Sequence, residues 1–140
     1  MPEILLAEDN PADVYLIREA LREHGVDIAI RVASDGEEVL KLLSEAASTL
    51  PANAPRLIIL DLNLPRHDGI EILQYVRSTP ALSHVPIVVL TSSDSPRDRA
   101  SATALGATRY LRKPSSLEQF LDLGAVFKEL LATAAAIHRS

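Results

Sequence analysis

Short apolar runs and stretches of helical period alternate along the chain five times. The first run, Ile4-Leu5-Leu6-Ala7, ends on the polar cluster Glu8-Asp9-Asn10. Pro11 suits a first helical turn, and Val14, Ile17 and Leu21 follow at three- and four-residue spacing, with Leu16 beside them, until Gly25. Residues 27–33 read as a second strand, after which Ser34 or Asp35 caps a helix carrying Val39, Leu40, Leu42 and Leu43. A loop of small residues and proline, 46–55, leads to the most apolar strand, Leu57-Ile58-Ile59-Leu60. The turn region 61–69 precedes a helix from about residue 70 to 78, closed by Pro80. Residues 86–90 form a fourth strand and 96–105 a fourth helix ended by Gly106. Residues 108–111 give a short fifth strand, and the last helix runs from 117 to about 135.

Strands one, three and four are apolar at nearly every position instead of alternating, the pattern of strands covered on both faces. Five strand-helix units with right-handed crossovers predict an α/β fold, a doubly wound five-stranded parallel sheet with five helices. No repeat or linker interrupts the 140 residues, so one domain over 1–140 with no output domain is expected. Composition narrows the function. Lys plus Arg number 14 against 19 Asp plus Glu, a net charge of −5, with no clustered basic face, which speaks against nucleic acid. Tryptophan is absent and aromatic residues make up 4%, too few for base-stacking platforms. No apolar run approaches the ~18 residues of a membrane span, and no signal pattern opens the chain, so a cytoplasmic protein without a membrane partner is expected. With no cysteine, thiol nucleophiles and thiolate metal sites are excluded.

In open parallel sheets, ligand chemistry collects at the carboxyl ends of the strands. There the sequence places Glu8 and Asp9 after strand one, Asp61 after strand three, Thr91-Ser92-Ser93 after strand four and Arg112-Lys113-Pro114 after strand five. Each alone has an ordinary explanation, as a helix cap, a turn former or a surface turn. Their convergence does not. Three carboxylates within a few ångströms repel one another and call for raised pKa values or a hard cation. Oxygen donors of this kind suit Mg²⁺, while a lysine and a hydroxyl supply charge and a hydrogen bond for phosphoryl oxygens. The set describes a phosphoryl site with one carboxylate free to act as nucleophile.

The segments Ile4-Leu5-Leu6-Ala7-Glu8-Asp9-Asn10, Leu60-Asp61-Leu62-Asn63-Leu64-Pro65 with Asp68-Gly69, Val89-Leu90-Thr91-Ser92, and Lys113-Pro114 resemble the receiver domain of bacterial two-component response regulators, from about residue 3 to about 130. The openings Glu-Asp-Asn-Pro-Ala-Asp and Asp-Leu-Asn-Leu-Pro are most similar to the stand-alone receivers that partner bacterial phytochrome kinases. The resemblance implies a flavodoxin-like receiver fold with strand order 2-1-3-4-5. It implies that Asp61 takes a phosphoryl group from the phosphohistidine of a sensor histidine kinase. Asp9 matches a direct Mg²⁺ ligand, Glu8 a ligand through water, and the backbone carbonyl of Asn63 a further one. Lys113 matches the lysine that pairs with Asp61, Thr91 the switch hydroxyl and Tyr110 the aromatic switch residue. The N–H of Ser92 lies near the phosphoryl group in this family, Pro114 follows a bond that is commonly cis, and Gly69 fits a turn of positive φ. Asn63 and Ser93 stand at positions that influence the lifetime of the phosphoryl group.

The implied output is conformational: Thr91 turns inward, Tyr110 from solvent-facing to buried, and the surface of the last two helices and fifth strand is reshaped. Leu105, Tyr110 and residues of the last helix are candidates for a homodimer surface. The four histidines, His24, His67, His84 and His138, lack metal spacing and read as surface residues, with His67 near Asp61 a candidate for touching a kinase. A haloacid-dehalogenase-type phosphatase needs a second aspartate where Asn63 stands. In an FMN module Glu8 and Asp9 would repel the phosphate. The alternative that stays open is a relay intermediate passing its phosphoryl group to a histidine-phosphotransfer protein.

Overall fold

The computed structural model describes residues 3–48, 54–93 and 95–139, with 134–139 described as backbone. Within them the five strands are β1 (Ile4–Ala7), β2 (Ile30–Ala33), β3 (Leu57–Leu60), β4 (Ile87–Thr91) and β5 (Arg109–Arg112). The helices are α1 (Pro11–Glu23), α2 (Gly36–Ala47), α3 (Gly69–Ser78), α4 (Pro96–Ala104) and α5 (Leu117–Arg139). All pairings are parallel and the order is β2-β1-β3-β4-β5. Strand order therefore reverses at β1, whose neighbours are β2 and β3.

The unbroken apolar strands follow from the period of two acting on both faces. Leu5, Ala7, Ile58, Leu60, Ile87 and Val89 point to one side and pack with Val39 and Leu43 of α2, Ile72, Leu73 and Val76 of α3 and Ala102 of α4. Ile4, Leu6, Leu57, Ile59, Val88 and Leu90 point to the other and meet Ile17 and Leu21 of α1 and Phe120, Phe127 and Leu130 of α5. Alternate residues of one strand thus feed two separate cores. Phe120 and Phe127 belong wholly to the second. The α1–α5 seam is close: a Cβ on Gly124 would stand 2.2 Å from the Ala20 carbonyl oxygen, and His24 Nε2 lies 3.1 Å from the Leu121 carbonyl. α4 offers the core only Ala102 and is the most lightly held helix.

Boundaries differ from the sequence expectation where pairing decides. β2 begins at Ile30, because the ladder to β1 opens with the Ile4 N–H bonding the Ala29 carbonyl, and residues 27–29 are a connector. β4 begins at Ile87, since Pro86 has no N–H to give, and it extends to Thr91. β5 shifts by one residue because Thr108 uses its hydroxyl to accept the Ile87 N–H. Much of the expected 46–55 loop lies outside the described residues, as does the side chain of His138.

Two expectations are corrected. Gly69 has no positive φ; it opens α3, and glycine is required there because a Cβ would meet Leu62 Cα at 2.7 Å and the Asp61 carbonyl oxygen at 2.9 Å. The left-handed turn is made by Arg66, with φ of 76°, whose guanidinium bonds Glu37 at 2.7 Å. The peptide bonds of the described residues are all trans, Lys113–Pro114 included, trans being the lower-energy form of an X-Pro bond by about 0.5–1 kcal/mol.

Candidate functional site

Parallel register brings the strand ends level. Ala7 is paired with Leu60, so Glu8 and Asp61 emerge side by side, tied by the Asp61 N–H to the Ala7 carbonyl at 3.0 Å. Thr91 is paired with Arg112, and the Lys113 N–H bonds the Thr91 carbonyl at 2.8 Å, which aims Lys113 across the same edge. Glu8, Asp61 and Thr91 are 2%, 5% and 0% exposed, the polar residues that the core tolerates. Such burial costs free energy unless every group is paired.

Asp61 is fully engaged. Its Oδ1 accepts from the Asn63 N–H at 2.9 Å and the Thr91 hydroxyl at 3.0 Å, and its Oδ2 from Lys113 Nζ at 2.8 Å. Thr91 Oγ1 in turn accepts from Asn63 Nδ2 and the Ser93 N–H, both at 3.3 Å. Lys113 also bonds Glu8 Oε1 at 2.7 Å and Asp13 Oδ2 at 2.8 Å. Burial alone would lower the Lys113 pKa; the hydrogen bonds it donates to Asp13, Asp61 and Glu8 outweigh this and raise the value, keeping the ammonium charged. Burial pushes the Glu8 carboxyl up to about 7, the Asp61 charge adds to this, and Lys113 with the Asn10 N–H holds it down.

Carboxylate oxygens of Glu8, Asp9 and Asp61 lie within 4.8 Å of one another. In an octahedral shell at about 2.1 Å, opposite ligands stand about 4.2 Å apart, so a small inward movement would let one hard cation draw the three together. The residues fit Mg²⁺ in donor type, charge and spacing. Burial raises the Glu8 pKa to about 7, so a proton would compete with a cation held there. Magnesium affinity is expected to rise about tenfold between pH 6 and pH 8, as titration calorimetry would read it; an affinity flat over that range would remove Glu8 from the metal shell. The linkage to folding has the opposite sign. Protonated Glu8 favours the fold fully below about 4.5, and that contribution disappears as pH rises through about 7.

Sequence reasoning missed Asp13. It stands in the first turn of α1, three residues after the N-cap Asn10, and a carboxylate in the turn that directly follows Glu8-Asp9 is the signal that could have found it. Tyr110 is half-buried, with its hydroxyl 3.5 Å from the Ser93 carbonyl and the Arg99 guanidinium 4.7 Å from its ring centre. Ser92 is exposed just beyond Thr91, and Pro114 follows Lys113 at the rim. His67 pairs with Glu71 at 3.0 Å on the loop after β3 and is not one of the clustered metal-ligand candidates.

The family model for the response regulator receiver domain matches residues 4–123. The chain belongs to that family. Receiver domains are signalling modules of two-component systems, in which aspartate phosphorylation and magnesium binding are typical. Response regulator Rcp1 of Synechocystis sp. is 34% identical over 120 residues, spanning 86% of this receiver and 82% of Rcp1. The structure of the phosphorylated cyanobacterial phytochrome response regulator RcpA superposes with a TM-score of 0.82 at 36% identity, covering 94% of each chain. The Mn²⁺-bound form of Rcp1 gives 0.80 at 32% identity, covering 91% of this receiver and 92% of Rcp1. The receiver is thus similar to a phytochrome response regulator, and no helix among its described residues is long and apolar enough to cross a membrane.

Proposed function

We propose that this receiver takes a phosphoryl group from the phosphohistidine of a sensor histidine kinase onto Asp61, with Mg²⁺ held by Glu8, Asp9, Asp61 and the Asn63 carbonyl, and signals in the cytoplasm to a protein partner. The observation that carries this reading is the Asp61 carboxylate, buried yet open to the Glu8–Asp9 cluster and gripped by Lys113, Thr91 and the Asn63 N–H. A phytochrome-type kinase is the donor class that the name of the similar regulator RcpA supports.

An Asp61 carboxylate oxygen attacks phosphorus in line, forming the O–P bond as the P–N bond to imidazole breaks and the electron pair leaves on the ring. Lys113 and the Thr91 hydroxyl turn from the carboxylate toward the phosphoryl oxygens and offset their growing charge. Magnesium, when bound, neutralises the remaining charge on those oxygens. Water attacks the same phosphorus later and returns free Asp61. Transfer from a kinase, followed by borohydride reduction and peptide mapping, is expected to find homoserine at position 61. A product at Glu8, Asp9 or Asp13 would refute the assignment.

The output route starts at Thr91. Its hydroxyl accepts the Ser93 N–H; the Ser93 carbonyl faces the Tyr110 hydroxyl, and Ser93 Oγ donates to Asp98 Oδ2 of α4 at 2.6 Å. Moving Thr91 toward a phosphoryl oxygen therefore pulls on both β5 and the lightly held α4. A nearly complete switch takes roughly 5.5 kcal/mol of differential affinity, which a few charge-assisted hydrogen bonds of about 1.5–3 kcal/mol each can supply. Thr91→Ala is expected to accept the phosphoryl group but to lose the shifts of Tyr110 and α4 resonances in NMR spectra. The full wild-type shifts in that variant would disprove the route.

A further inference from the structure

Lys113 has three N–H donors, and three carboxylates take them: Glu8 at 2.7 Å, Asp13 at 2.8 Å and Asp61 at 2.8 Å. Two of the three, Glu8 and Asp61, also belong to the set whose oxygens converge for a cation; Asp13 does not. Nor is Asp13 needed to end its helix. Asn10 Oδ1 caps α1 by accepting from the Ala12 and Asp13 N–H groups, and the Asp13 carboxylate points instead at the lysine. It is 18% exposed against 12% for Lys113, so the pair is shielded from bulk water, where an ion pair would be weak.

We infer that Asp13 is a positioning residue, the one carboxylate that keeps Lys113 in place once a cation draws Glu8 and Asp61 away. The inference rests on the phosphoryl-acceptor reading for its purpose, though not for its geometry. With the metal bound, Glu8 and Asp61 give up lysine contacts and one or two ammonium N–H groups become available to phosphoryl oxygens. A four-carbon stem with no remaining partner would then sample many rotamers. Asp13 holds the third N–H and so fixes the direction of the other two. Catalytic groups displaced by about an ångström lose rate steeply, which sets the expected size of the effect.

The test follows the ¹⁵N signal of the Lys113 ammonium, whose slow hydrogen exchange reports a held lysine, in the wild type, Asp13→Asn and Asp13→Glu. Without metal all three are expected to show it, because Glu8 and Asp61 still hold the lysine; this also reports a folded site. With saturating Mg²⁺ the wild type keeps the signal, Asp13→Asn loses it, and Asp13→Glu recovers it. In parallel, phosphorylation by acetyl phosphate is expected to slow about tenfold in Asp13→Asn and to be largely restored in Asp13→Glu. A signal equally protected in magnesium-loaded Asp13→Asn, one already lost without metal, or an unchanged rate overturns the inference. Failure of the wild type to take a phosphoryl group overturns the Asp61 reading, while the ammonium signal still decides the role of Asp13.

Discussion

Lys113→Ala is expected to cost both stability and phosphoryl transfer, although the nucleophile Asp61 stays in place. The lysine is the shared partner of Glu8, Asp13 and Asp61, two of them almost wholly buried. Removing one partner of a buried ion pair leaves an uncompensated charge, an effect of about 3–5 kcal/mol, and here one cation serves three carboxylates. The loss should depend on pH. Lys113 holds the Glu8 pKa down, so without it Glu8 takes a proton more readily, the folded variant binds more protons than the unfolded chain, and it recovers stability as pH falls. Urea unfolding at pH 8 should show the large deficit, at pH 5.5 a smaller one, and Mg²⁺ at pH 8 should restore much of it by standing in for the ammonium. Phosphorylation should fall by about 10²–10³, the usual effect of removing one oriented donor from a transferring group. A deficit under about 1 kcal/mol that ignores both pH and magnesium would mean that solvent already screens these charges.

Gly69→Ala has the second largest expected effect on stability, and it works through the backbone. The added methyl would stand 2.7 Å from Leu62 Cα, 2.8 Å from Leu62 Cδ2 and 2.9 Å from the Asp61 carbonyl oxygen. Main-chain atoms cannot swing aside as the tip of a side chain can, so α3 must back away from the loop after β3. Overpacking of this kind costs about 1–3 kcal/mol. It should also slow phosphorylation several-fold, because the residue pushed is the one that carries the nucleophile. Gly25→Ala is the informative contrast. Gly25 has φ of 72° with nothing within 4 Å of a built Cβ, so only the left-handed backbone penalty of about 1–2 kcal/mol applies and transfer should be untouched. Equal effects on transfer in the two variants would contradict the role given to Gly69.

These two positions mark what the sequence makes legible and what it does not. Periodicity was sufficient for the α/β class, because strands that feed cores on both faces leave an unmistakable apolar signature at Leu57-Ile58-Ile59-Leu60 and Ile87-Val88-Val89-Leu90, while the strand order came from the family resemblance. The site was legible for a related reason: a parallel sheet collects whatever follows each apolar run at one edge, so Glu8, Asp9, Asp61, Thr91 and Lys113 could be grouped without coordinates. Edge strands were less well defined. β2 and β5 are paired on one side only, and their limits depend on single hydrogen bonds, accepted by the Ala29 carbonyl and the Thr108 hydroxyl, that no periodicity encodes. Gly69 was read by the commonest reason for a glycine, positive φ, whereas the actual reason is the close approach of the start of α3 to Leu62 and Asp61, seven and eight residues earlier, which no periodicity shows. Asp13 escaped because a carboxylate in the first turn of a helix has an ordinary explanation in the helix dipole, and only the position of Lys113, 100 residues away, supplies another.

The central claim is that Asp61 is the residue phosphorylated and that a hard cation is needed for it. The most direct measurement is the intact mass of the protein after incubation with acetyl phosphate, with and without Mg²⁺, beside Asp61→Asn. A single added phosphoryl group that requires both the metal and Asp61 is the predicted result. An adduct that persists in Asp61→Asn would place the chemistry on another residue. No adduct in the wild type, where a control receiver is modified, would make this chain a binding module whose acidic cluster serves something other than phosphoryl transfer.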